Sequence, residues 1–142
     1  MCRTLFTLPL VLCLLAAADP DPEPSDATKS DLKAMQGTWQ MVKAMRNGKV
    51  REKNYDDVTM EVTKDKLIIK EKNREEPAGF TINAKKNPRE IDIAPPKGEK
   101  KVLGIYKLTK DELTITFHQS GTTRPTKFDD MMASVLMFNR KK

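Results

Sequence analysis

His118 is the only histidine in the chain, and so the only side chain whose ordinary pKa suits proton transfer near neutrality. Ser120 stands two places on, but a serine nucleophile also needs an orienting carboxylate and oxyanion donors, and no motif in the sequence supplies them. His118 falls at the end of an alternating segment, on its polar side, which places it toward solvent. No catalytic residue and no enzymatic activity are expected.

Metal chemistry is equally short of ligands. Both cysteines, Cys2 and Cys13, lie in an apolar leader, so one histidine and scattered carboxylates remain. Asp56-Asp57 and Asp129-Asp130 are adjacent pairs whose side chains diverge on an extended chain, without the spaced oxygens of a calcium loop. No metal and no cofactor are expected. Arg124 has a planar fork that suits a ligand carboxylate, and equally suits anchoring a loop through backbone carbonyls. Met41, Met45, Met60 and Met137 on strand-like segments, with Met131-Met132 just ahead of the last, could line an adaptable apolar pocket or fill a core. Arg124, Tyr106 and Met41 are the candidate ligand contacts.

These residues sit in a chain of 142 residues whose start does not read as fold. Met1-Cys2-Arg3 is a short basic start, Leu5 to Leu15 is apolar, and Ala16-Ala17-Ala18 offers small residues for cleavage, so residues 1–18 are expected to be a secretory signal. Thr7 and Pro9 interrupt the apolar run, which falls short of the roughly 20 residues a stable membrane span needs. Bulky Leu12 before Cys13 argues against lipidation. Export to the periplasm or the extracellular space follows, with no disulfide available there. The net charge of +6 is spread, because Lys85-Lys86, Lys100-Lys101 and Arg140-Lys141-Lys142 are separated by acidic residues and do not interleave with aromatics. That pattern excludes a nucleic-acid platform.

Residues 19–29 are acidic and proline-rich and are expected to form a disordered tether, followed by one domain over residues 30–142. Ser30 as N-cap, Asp31 in the first turn and Leu32 and Met35 on one face predict a short helix that stops at Gly37. Beyond it the period is two. Leu113, Ile115 and Phe117 alternate with Thr114, Thr116 and His118, and similar alternation marks segments at 39–45, 58–63, 67–71, 80–84, 90–94, 102–108 and 135–140. Val62 to Ile69 and Leu108 to Ile115 share a Thr-Lys-Asp tip, which predicts two tight hairpins. Short turns and no long apolar helix predict an all-β, eight-stranded antiparallel up-and-down barrel with a short N-terminal helix. Two connections are long, Arg46 to Asp57 and Gln119 to Asp130, and long loops on a rigid barrel are where binding is usually placed.

Gly37-Thr38-Trp39 opens the first strand and Arg140 ends the last, an arrangement in which a buried indole plugs one end beneath a stacked guanidinium. With the short helix, the meander and the terminal basic residue, this resembles the lipocalin superfamily. Leu32 to Gln40, Ile91-Asp92-Ile93, Leu103 to Leu108 with Asp111 to Thr114, and Arg124 to Phe128 resemble, more closely, a family of small exported lipocalin-like domains known mainly from planctomycete bacteria. The resemblance implies structural roles for Gly37, Trp39 and Arg140 and, by fold analogy, a small apolar ligand in the barrel. The competing expectation is a filled barrel acting as a scaffold whose long loops bind a protein. A monomer is expected.

Overall fold

The computed structural model describes residues 23–120 and 123–142; the expected signal at 1–18, with both cysteines, lies outside them. Ordered structure begins earlier than Ser30. Helix α1 runs Asp26–Met35, and its N-cap is Ser25, extended at ψ 159°, whose Oγ accepts from the Thr28 amide at 3.2 Å. Asp26 in the first turn suits the helix dipole, so residues 26–29, read from the sequence as the end of the tether, are helical.

The strands follow as β1 (Gly37–Arg46), β2 (Lys49–Val50), β3 (Val58–Val62), β4 (Lys66–Glu71), β5 (Arg74–Asn83), β6 (Arg89–Ala94), β7 (Val102–Leu108), β8 (Glu112–His118) and β9 (Ala133–Arg140). From β3 to β9 each strand pairs antiparallel with the next, and β1 pairs with both β3 and β9. The result is a closed eight-stranded barrel in up-and-down order. The two-residue β2 continues the edge that β3 occupies lower down: Met45 pairs with Val50, whereas Trp39 pairs with Met60. It folds back through Asn47 and Gly48, both at positive φ, the backbone of a two-residue type I′ hairpin.

The shared Thr-Lys-Asp tips are structurally alike. Thr63 and Thr109 each close their turn, accepting through the hydroxyl from the amides of Lys66 (3.3 Å) and Glu112 (3.1 Å) and donating the backbone N–H back to those residues' carbonyls. These turns set registers Val62↔Leu67 and Leu108↔Leu113, which point the apolar partners inward.

Inward side chains form one cluster, from Met35 and Trp39 at the helix end through Met60, Phe80, Ile91, Tyr106, Leu113 and Ile115 to Phe138. The helix end is closed by a polar arrangement. Trp39 Nε1–H donates to the Met35 carbonyl at 2.8 Å, while the Arg140 guanidinium donates to the carbonyls of Ala34 (2.5 Å) and Gln36 (3.1 Å). Three consecutive carbonyls that end the helix without intrahelical partners are thus satisfied by two side chains. Arg140 also lies over the Trp39 ring, 4.2 Å from its centroid, as the sequence suggested. Gly37 permits this approach: its φ is +126°, and a Cβ there would lie 3.2 Å from Arg140 Nη1.

Part of the outer face of β7, β8 and β9 is buried as well, which the alternating pattern did not predict. Ile105, Thr116 and Val135 form a row across the outer wall, and all three are buried. Their cover is the connection between β8 and β9, with Pro125 fully buried against the wall. Among the described residues Thr116 Oγ1 has no hydrogen-bond partner. Thr116→Val should therefore raise stability by about 1 kcal/mol, because an orphaned buried hydroxyl is replaced by a methyl of similar shape. A lower urea midpoint than wild type would refute this account.

Candidate functional site

The two long connections, one end of the barrel apart in sequence terms, come together in space. Gln40 anchors the first from below, its Nε2 donating to the carbonyls of Tyr55 (2.7 Å) and Val58 (3.0 Å). Arg46 joins the first to the second through a hydrogen bond from Nη2 to Gln119 Oε1. Met131 lies against Gly48, whose φ of +71° suits the I′ turn and whose bare Cα leaves room for the flexible end of the methionine.

Between these connections lies a cavity of about 340 Å³ on the outer wall. Met45, Val135 and Met137 form its floor, Phe128 and Met131 its sides, and the carboxylates of Asp129 and Asp130 stand at its margin. Met131 and Met132 are 66 % and 73 % exposed, and among the described residues the other two large exposed apolar side chains, Val42 and Val50, belong to the neighbouring strands β1 and β2.

Arg124 and His118 hold the second connection in place. Arg124 sits outside the barrel, donating to the carbonyls of Gly104 (2.7 Å) and Ile91 (3.2 Å) and pairing with Asp92 Oδ1 (2.6 Å) and Glu90 Oε1 (3.6 Å). Glu90 and Asp92 alternate with the inward Ile91, which places both carboxylates on the outer face. Of the two roles open to Arg124 on sequence grounds, the geometry is that of an anchor, with the carbonyls coming from the barrel wall. His118 is not solvent-facing as expected; its side chain is 18 % exposed because the connection folds over it. Nε2 lies 2.8 Å from Asp130 Oδ2, and Nδ1 lies 2.9 Å from Thr123 Oγ1.

The Met132 amide and then His118 hold the Asp130 carboxyl below the usual carboxylate range. A carboxylate depressed on folding stabilises above its unfolded pKa and loses that contribution as pH falls through the folded one. Below about pH 4 the Met132 amide should lose its protection, which hydrogen exchange would read. Met132 amide protection at pH 6 that Asp130→Ala leaves unchanged would refute this hold on the connection.

Met41 and Tyr106 lie elsewhere. Both point into the barrel and belong to its packed cluster, so the structure does not gather Arg124, Tyr106 and Met41 into one site. The Tyr106 hydroxyl donates to Asp31 Oδ2 of α1 at 2.7 Å, and Arg89 pairs with the same oxygen at 3.0 Å. Burial first, and then the bond to Asp31, pushes the Tyr106 phenol up, so it remains protonated. Of the methionines that could line an apolar pocket on sequence grounds, Met45, Met131 and Met137 line this cavity, whereas Val135 and Phe128 join them without a sequence signal of their own.

Comparison with known protein families, curated proteins and solved structures finds no match to the chain. The architecture, a closed eight-stranded barrel consistent with the calycin plan, is the extent of the likeness carried by the structure.

Proposed function

We propose that this chain is a non-enzymatic, exported, lipocalin-like binding module whose ligand is a small apolar molecule held on the outer wall, between the two long connections. The observation that carries this is the cavity of about 340 Å³ floored by Met45, Val135 and Met137, within the size range of small-molecule pockets. Inside the barrel, Met41 and Tyr106 are part of a packed cluster, which weighs against an interior ligand. The non-enzymatic reading rests on the sequence, where no nucleophile motif or oxyanion donor accompanies His118. Export rests on residues 1–18, and the family resemblance on the segments quoted for it.

Dodecanol, a neutral apolar probe, should bind, and Met137→Asp should weaken it at least about tenfold by placing a carboxylate in the floor. Binding that Met137→Asp leaves unchanged while interior amides such as Phe117 shift in NMR would move the site into the barrel. A second reading, a protein-interaction module, is favoured by the exposure of Met131 and Met132 beside the same cavity. Native mass spectrometry separates the two, since a co-purifying small molecule fits only the first.

A further inference from the structure

We infer that the ligand is a single-chain amphiphile with an anionic head group, its chain in the apolar cavity and its head in a cationic cleft on the far side of residues 126–128. This rests on the outer-wall reading just given and names its ligand class.

Two further cavities adjoin the apolar one and share walls with it. The middle cavity, about 270 Å³, shares Thr114 and Met137 with the apolar cavity. The third, about 570 Å³, shares Lys107 and Thr109 with the middle one and Phe128 with the apolar one. The register explains the continuity: Lys107 pairs with Thr114, and Thr114 with Met137, so one outward row crosses β7, β8 and β9. At about 4.8 Å per strand, that row spans roughly 10 Å between the backbones of Met137 and Lys107.

Chemistry changes along the row. At the β9 end the wall is apolar; at the β7 end the third cavity is lined by Arg89, Lys107 and Lys127, together with Pro88 and Leu108. Among the described residues neither Lys107 nor Lys127 forms an ion pair, whereas Arg89 shares Asp31 with Tyr106. Carboxylates fix the direction of binding. Asp129 and the His118-paired Asp130 line the apolar cavity, and in the middle one Glu112 offsets Lys107, so an anionic head is favoured beside the three cations of the third. A cationic head would meet the reverse arrangement.

Isothermal titration with dodecanoate and dodecyltrimethylammonium below their micelle concentrations, and with dodecanol below its solubility limit, tests this. Dodecanoate should bind about tenfold more tightly than dodecanol, and the cationic amphiphile most weakly. The dodecanoate advantage should vanish at about 1 M salt and in the double variant Lys107→Gln/Lys127→Gln, which should cost dodecanoate at least about tenfold more affinity than dodecanol. Equal affinity for dodecanoate and dodecanol, with Met137→Asp weakening both, overturns the anionic head while the apolar site stands. Binding of neither probe overturns both readings. Flotation with anionic phosphatidylglycerol vesicles but no uptake of monomeric dodecanoate would assign the surface to a membrane and overturn the inference.

Discussion

Trp39→Ala is expected to lower the unfolding free energy by about 3 to 5 kcal/mol, the cost of emptying a fully buried aromatic site. The indole fills the barrel end, its N–H satisfies the Met35 carbonyl, and its face receives Arg140. Removing it leaves a cavity, a helix-end carbonyl without its donor, and a guanidinium whose stacking surface is gone. Trp39→Phe separates these contributions. It keeps an aromatic face but loses the donor, so it should cost less, about 1 to 3 kcal/mol. Urea denaturation followed by circular dichroism reads both. A loss below about 1 kcal/mol for Trp39→Ala would show that the indole is not the end-plug described.

Arg124→Ala carries the second large effect, and it reaches the proposed site from a distance. The guanidinium gathers two carboxylates and two backbone carbonyls of β6 and β7, so truncation leaves Glu90 and Asp92 side by side on one face of β6 without their shared cation. Removing one partner of a buried pair costs about 3 to 5 kcal/mol, and the partial exposure here reduces the expectation to about 2 kcal/mol. The connection from His118 to Ala133 should also loosen. Trypsin should then cut faster at Lys127, and dodecanol affinity should fall although Arg124 lines none of the three outer cavities. Lysine cannot reproduce the fork, so Arg124→Lys should rescue little. Wild-type stability and cleavage in Arg124→Ala would show that the connection is held by other contacts.

Much of the barrel is legible in the chain because its strands alternate and its turns are punctuated. Leu113, Ile115 and Phe117 all point inward, and the two Thr-Lys-Asp tips close the hairpins expected of them. Gly37, Trp39 and Arg140 are legible as a set because each answers a need of the others: approach, filling and stacking. The outer wall is less legible. A period of two marks one dry face, and nothing about Thr116 reveals that its hydroxyl is covered by a folded connection. His118 was misplaced for the same reason, since a strand pattern is blind to what packs over its polar side. Strand β2 escaped because two residues cannot display a period, although Asn47-Gly48 is a strong hairpin signal. At the helix, Ser25 and Ser30 are equally good caps in isolation; the hydroxyl of Ser25 meets the Thr28 amide, which decides between them.

The seam between β1 and β9 sets this ring apart from the ladders that build it. Every other ladder joins strands close together in the chain, whereas Trp39↔Arg140 unites its two extremities. Local hairpins can assemble early, but the seam must bear the entropy of closing nearly the whole domain into a loop, so it is expected to form late in refolding. Until it does, β1 and β9 present bare edges of the kind through which unfinished β-proteins aggregate. Shortening the chain before Val135 would make that transient condition permanent.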